Sequence, residues 1–256
     1  MQFKLGKLAP QEAPLKLRTF LTAPLPEPPR EANLDALYLL DSECFGNDTV
    51  GDCAIAGPAH ETLFWERHNG REVADITTED VLRWYGEVTG YDPQDPSTDQ
   101  GSVVADVVRF RRTTGLVDSK GVAHKIATGL GVSLTPDAVK QAINLFDVCG
   151  LGIQVPASLM DQTNQAQRAG VPPIWTVVED SPIKGGHYIA AIAYDEHFLY
   201  VNSWGLTCRM SWDFFDTYTD EAWAYASEED VNGKGISPDG IDWATLRKEI
   251  NQLPAA

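Results

Sequence analysis

A thiol, an imidazole and a carboxamide stand in fixed order along this chain. Cys53 closes the run Asn47-Asp48-Thr49-Val50-Gly51-Asp52-Cys53, His187 follows Gly185-Gly186, and Asn202 opens Asn202-Ser203-Trp204-Gly205. His187 lies 134 positions after Cys53, and Asn202 lies 15 further on. Brought together, the three would supply a nucleophile, a base to ionise it and a group to hold the base. A free thiol is mostly protonated at neutral pH, and a helix N-terminus or an imidazolium lowers its pKa. Asp48 and Asp52 act in the opposite sense, because negative charge disfavours a thiolate.

The elements that must position these groups follow from pattern. Asp52 is a candidate cap for a helix from Cys53 to about His68, with Pro58 in its second turn. Gly51 allows the chain a tight approach just before it. Further helices are expected from Thr77 or Thr78 through Tyr85, from about Ser102 to Thr114, and from Pro136 to Phe146 with proline at the first helical position. Short β-branched and aromatic runs come next: Leu151–Val155, Ile174–Val178, His187–Tyr194, Phe198–Asn202 and Arg209–Trp212. Alternation puts His187, Ile189, Ala191 and Ala193 on one face of their strand and Tyr188, Ala190, Ile192 and Tyr194 on the other. Both faces are apolar, so this strand is central. A hairpin at Tyr194–Phe198 joins it to the strand ending in Asn202, whose amide oxygen would accept the imidazole N–H beneath the cover of Trp204. A last helix is expected from Trp243 to Leu253. Helices first and antiparallel strands after them make the chain α+β.

Composition bounds the rest. The chain has 256 residues, 43% of them hydrophobic, and a net charge of −17. The first 40 carry about +1, with Pro10, Pro14, Pro24, Pro26, Pro28 and Pro29, and read as an extended arm over the surface. Residues 41–256 form the folded domain, with a helical part at about 41–130, a β part at about 131–230 and the terminal helix at about 240–253. An acidic body repels phosphate backbones and anionic membranes, so neither nucleic acid nor membrane is an expected partner. No run approaches the ~20 apolar residues of a membrane span, and no signal peptide stands behind Lys4 and Lys7. The cysteines Cys44, Cys53, Cys149 and Cys208 contain no Cys-x-x-Cys pair. They suit a reducing, cytoplasmic setting, with no metal and no cofactor.

From about Pro26 to Tyr225 the chain resembles the papain-like cysteine peptidase superfamily. Asn202-Ser203-Trp204-Gly205 matches that superfamily letter for letter. The Cys53 segment matches it less closely: Asn47 stands where papain-type enzymes carry glutamine, Ala54 stands where they carry tryptophan, and Gly51-Asp52-Cys53 is more similar to the calpain branch. Asp99-Gln100-Gly101-Ser102 resembles the glycine-containing segment that lines the substrate cleft. The resemblance implies a helical left lobe, a barrel-like right lobe and a cleft between them. It implies a thiol hydrolase acting on a protein or peptide, with Cys53 as nucleophile, His187 as base, Asn202 orienting it, and Asn47 holding the oxyanion with the Cys53 amide. Gly51, Asp52, Gln100, Gly101, Gly186 and Trp204 would line the substrate site. With 52 residues before Cys53, no folded inhibitory prodomain is expected.

Two other readings stand beside this one. Asn47, Ala54 and the short leader suit a non-catalytic binding or virion component, and the compact acidic chain has the flavour of a bacteriophage-encoded protein. Amidase or acyl-transfer chemistry would proceed through the same acyl-enzyme. Substrate preference and oligomeric state are not legible.

Overall fold

The computed structural model describes residues 3–22, 27–226 and 241–253. Pro24, Pro26, the end of the expected β part and the start of the expected last segment lie outside them. Helix α1 (Cys53–His68) is buried on nearly every side through Trp65. Its Pro58 falls in the second turn, where it lacks the N–H that would otherwise bond to Ala54 O. Asp52 does not cap it, for the side chain makes no cap hydrogen bond. Helix α2 (Thr78–Thr89) opens on a capping box between Thr77 and Asp80. Helix α3 (Val104–Thr113) begins two residues later than the sequence suggests.

The rest is built on a seven-stranded sheet. Its strands are β3 (Thr128–Gly131), β4 (Cys149–Pro156), β5 (Ile174–Trp175), β6 (Ile183–Tyr194), β7 (Phe198–Ser203), β8 (Leu206–Ser211) and β9 (Thr219–Ala226), in the order β3-β9-β4-β6-β7-β8-β5. All pairs are antiparallel except β5 with β8. A small ribbon of β1 (Leu116–Val117) and β2 (Ala123–His124) stands apart. Helices α4 (Pro136–Phe146), α5 (Ala157–Ala169), α6 (Trp212–Tyr218) and α7 (Trp243–Ile250) complete the described chain.

Two cores meet at β6. Ile189 and Ala191 join a core with Leu151, Ile153, Leu199, Val201 and Trp175. Tyr188, Ala190 and Ile192 join the core of α1, α2 and α3. The alternation holds as far as a register shift between Ala191 and Ala193. Past that shift Tyr194 lies in the first core, not with Tyr188 as alternation predicts.

Helix α1 is fixed to the sheet by buried polar groups. Arg111 of α3 donates to Glu61 of α1 at 2.7 Å, with both side chains at most 2% exposed. The Tyr188 hydroxyl donates to the other Glu61 oxygen and lies against the Tyr225 hydroxyl. The Arg111 guanidinium sits 4.4 Å from the Tyr225 ring centroid. Four elements therefore share one ion pair. Replacing one partner strands the other charge in the interior, at about 3–5 kcal/mol. Arg111→Leu is expected to lower the unfolding free energy by about that amount in urea titration. A loss below about 1 kcal/mol would show that the pair does not hold α1 to the sheet.

Residues 3–20 do not simply cross the surface. Phe3, Gly6, Lys7, Ala13, Leu15, Leu17 and Phe20 are buried. Short 3-10 turns form at Leu17–Phe20 and Leu34–Leu39.

Candidate active site

Cys53 is the first residue of α1 and is fully buried. Burial pushes its thiol up to about 11, and the Asp52 charge acts in the same direction. The main-chain N–H groups of Tyr188 and Gly6, with the Lys7 charge, pull the other way. The sulfur thus lies beside the peptide that follows His187. Asp52 is also fully buried, and its carboxyl oxygens have no hydrogen-bond partner. Burial, with the charges of Asp99 and Asp48, holds its pKa well above the usual carboxylate range.

His187 is fully buried, and burial lowers its pKa to about 3. Its ring stacks on Trp204, with centroids 4.1 Å apart and planes within 14°. Its Nε2 is hydrogen-bonded to Ser203 Oγ at 2.8 Å, while Nδ1 has no partner. Asn202 does not hold the ring: its Nδ2 donates to Asp41 O at 2.9 Å, and its Oδ1 is buried without a hydrogen bond. Strand alternation explains this. Leu199 and Val201 share the core of Ile189 and Ala191, so Ser203 falls on the His187 side of the sheet and Asn202 on the other. Asn202 ties down the segment that leads into α1, and Gly205 reinforces the tie, since a Cβ there would stand 2.2 Å from Ser42 O. Ser203 lies inside the run singled out in the sequence; its role needed only the parity of the strand.

Asn47 is buried in the turn before α1, where Phe45 and Gly46 have positive φ. Its main-chain N–H donates to Cys44 O at 3.0 Å, and its Oδ1 has no hydrogen-bond partner. On the opposite wall, Asp99 accepts from the Gly51 N–H at 3.1 Å and from the Tyr85 hydroxyl at 2.8 Å. Tyr85 in turn accepts from the Gly101 N–H at 2.8 Å. Gln100 is exposed. Among the described residues no group of three or more metal-ligating side chains forms, and no helix is long and apolar enough to cross a membrane.

A peptide already runs between these walls: the chain's own residues 3–8. Lys7 N–H donates to Gly186 O at 3.0 Å, Ser102 N–H to Gly6 O at 2.8 Å, and Leu8 N–H to Ser102 O at 3.0 Å. Gly6 packs so closely that a Cβ on it would lie 1.8 Å from Gly51 O, and one on Gly101 would lie 2.1 Å from Gly6 O. Phe3 stacks on Trp204 at 4.4 Å, and Lys4 pairs with Asp99 at 3.2 Å. The segment lies against the sulfur and is bonded to the residue before His187, and Phe3 stacks on the tryptophan that the imidazole also stacks on. It offers the sulfur an amide N–H rather than a carbonyl carbon, so it lies against the thiol without being a substrate. Nothing in the pattern of the first residues announces this occupant.

The fold is that of the papain-like cysteine proteases, and the resemblance drawn from Asn202-Ser203-Trp204-Gly205 and the cysteine segment agrees with it. Xylellain, a cysteine protease from Xylella fastidiosa, is similar at a TM-score of 0.63 and 15% identity, over 88% of this chain and 97% of that one. The Carica candamarcensis cysteine protease CMS1MS2, solved with E-64, gives 0.53 and 12% over 78% and 99%. Digestive procathepsin L 3 of Tenebrio molitor larval midgut gives 0.55 and 9% over 81% and 72%. No family model and no curated protein matches the sequence. The bacteriophage flavour of the composition gains nothing from these structures.

The lowered pKa of His187 sets a pH dependence. The folded state keeps the ring neutral, whereas the unfolded chain protonates it near 6.5. Its contribution to stability is full above that pH and is lost as pH falls toward about 3. The slope is about 1.4 kcal/mol per pH unit in that window. Urea unfolding of His187→Gln should lack this component between about pH 6 and pH 4, relative to the unsubstituted chain. Parallel pH profiles for the two proteins would refute a neutral buried ring.

Proposed function

We propose that this chain is a papain-like thiol hydrolase of peptide bonds, held latent by its own N-terminal segment. The observation that carries the reading is the cleft itself. A peptide hydrogen-bonded to Gly186 on one side and Ser102 on the other runs against the cysteine at the helix start, beside the strand that carries the histidine.

In the open cleft the Cys53 proton passes to His187 Nδ1, and the sulfur attacks the substrate carbonyl carbon. The carbonyl π electrons move to oxygen, where the Cys53 N–H and the Asn47 amide donate to the developing charge. His187 returns the proton to the amine nitrogen as the C–N bond breaks, leaving a thioester. Water then attacks the thioester carbon and gives its proton to His187. The C–S bond breaks, and the acid product and the thiol are released. Ser203 fixes the plane of the ring through Nε2 and accepts its N–H in the tautomer that leaves Nδ1 free as base, Trp204 shields that bond, and Asn202 holds the Asp41 segment in place. A neutral thiol and a neutral imidazole suit the sealed state. Water entering the cleft favours their ion pair by lowering the cost of charge.

The same sealed state favours a second reading, a binding domain whose peptide never leaves. Gly6→Val separates the two, since no side chain fits against Gly51 O. In the full-length variant, Cys53 should react with iodoacetamide at least about tenfold faster at neutral pH, a shift of about 1.4 kcal/mol in protection. Cleavage of unstructured peptides should appear and should vanish on adding Cys53→Ser. Fast labelling without any cleavage would leave the binding domain as the answer.

A further inference from the structure

The strongest unexplained feature outside the sulfur and imidazole is the burial of Lys7. Its side chain is 1% exposed, although lysine is almost never buried without a partner. Nζ lies 3.0 Å from Asp220 Oδ1, 3.2 Å from Glu221 Oε1 and 3.1 Å from Leu8 O. Its main chain is the part of the segment bonded to Gly186, next to His187. The lysine therefore enters a side pocket from the position that a bound peptide would occupy.

The pocket is built for that side chain. Gly152 of β4 pairs with Glu221 of β9, and a Cβ on Gly152 would stand 2.3 Å from Lys7 Cε and 2.5 Å from Glu221 Cγ. Only glycine leaves room there for an extended aliphatic stem. Glu221 is fixed by the Trp223 indole N–H, which donates to its Oε2 at 2.9 Å. Its Oε1 is turned to the lysine and accepts no other hydrogen bond. Burial raises the pKa of the Glu221 carboxyl, while the Trp223 hydrogen bond and the Lys7 charge lower it. With the lysine gone, two neighbouring carboxylates would share a partly desolvated pocket, which is costly unless a cation replaces it.

We propose that Gly152, Asp220 and Glu221 form a specificity pocket for a basic side chain, so that the cleft selects peptides carrying lysine or arginine, and that Lys7 is its resident ligand. This rests on the reading of the cleft as a peptide site, though not on cleavage. The net charge of −17 assists it, since an acidic body draws cationic peptides toward the cleft. Recognition combines a fixed acidic pair with an aliphatic slot, which excludes acidic side chains by repulsion and short apolar ones by leaving the carboxylates unpaired.

The test is binding, measured by calorimetry on full-length Gly6→Val/Cys53→Ala, which clears the cleft and cannot turn over. Blocked peptides of the sequence Phe-Lys-Leu-Gly-X-Leu are compared with X as lysine, arginine, leucine or glutamate. The lysine or arginine peptide should bind about tenfold or more tightly than the leucine one, and the glutamate peptide weakest. Adding Asp220→Asn and Glu221→Gln should erase that order. Equal binding of lysine and leucine, no binding by any peptide, or an order that survives neutralisation would each overturn the proposal. A second measurement needs no added peptide. In the otherwise unsubstituted chain, Lys7→Met should expose Cys53 to alkylation severalfold more than Lys7→Arg does. Equal protection in the two would show that the charge is not what the pocket holds. Because cleavage is not read in either experiment, an inert Cys53 with ranked peptide binding would remove the hydrolase and keep the pocket.

Discussion

The close approach of α1 to β6 is the constraint on which everything else rests. A Cβ on Gly57 would fall 2.4 Å from the Tyr188 ring, so the helix can lie on the strand only where it has no side chain. One turn further on, Glu61 meets the Tyr188 hydroxyl and Arg111. Steric allowance and a buried charge pair thus act within four residues of each other. They fix the height of the helix start above the strand start, and with it the place of Cys53 beside the His187–Tyr188 peptide. A helix displaced by about 1 Å would hold the same residues in a different mutual geometry.

The electrostatics of the cleft follow from what fills it. A thiol at about 11 and an imidazole at about 3 are both neutral over the whole physiological range. Desolvation dominates both shifts, and the chain's own N-terminal segment lies against the sulfur. Of the charges in the cleft, Lys7 is matched by Asp220 and Glu221, and Lys4 by Asp99. The two lysines flank the glycine that lies against the sulfur, so the segment is held at both sides of its narrowest point.

Much of the fold was legible because periodicity is local. The start of α1 at Cys53, the Thr77 capping box, proline at the head of α4 and the Asp195 turn are written in adjacent residues. Helix α5 and strand β9 were not read. The first is mostly polar along Met160–Ala169, and the second carries Thr219, Asp220 and Glu221 at a strand start that serves as a pocket wall. The site was legible as a set of residues and less so as a set of contacts. Spacing points to Asn202 as the holder of the imidazole, but spacing alone does not say which face of β7 meets His187. The occupant of the cleft was invisible for a different reason. Lys7, Gly6 and Phe3 find partners 45 to 214 residues away, at Ser102, Gly51, Trp204 and Glu221, and no pattern within the leader announces them.

The contact of Gly6 with Gly51 and Gly101 limits how the segment can leave. Sliding by one position in either direction would press Leu5 or Lys7 into a gap that admits no Cβ, and would carry the ammonium away from its carboxylates. Partial withdrawal therefore has no resting place. The cover is seated in a single alignment or it is off, so that any event weakening one anchor tips the whole stretch at once, in the manner of a latch rather than a dial.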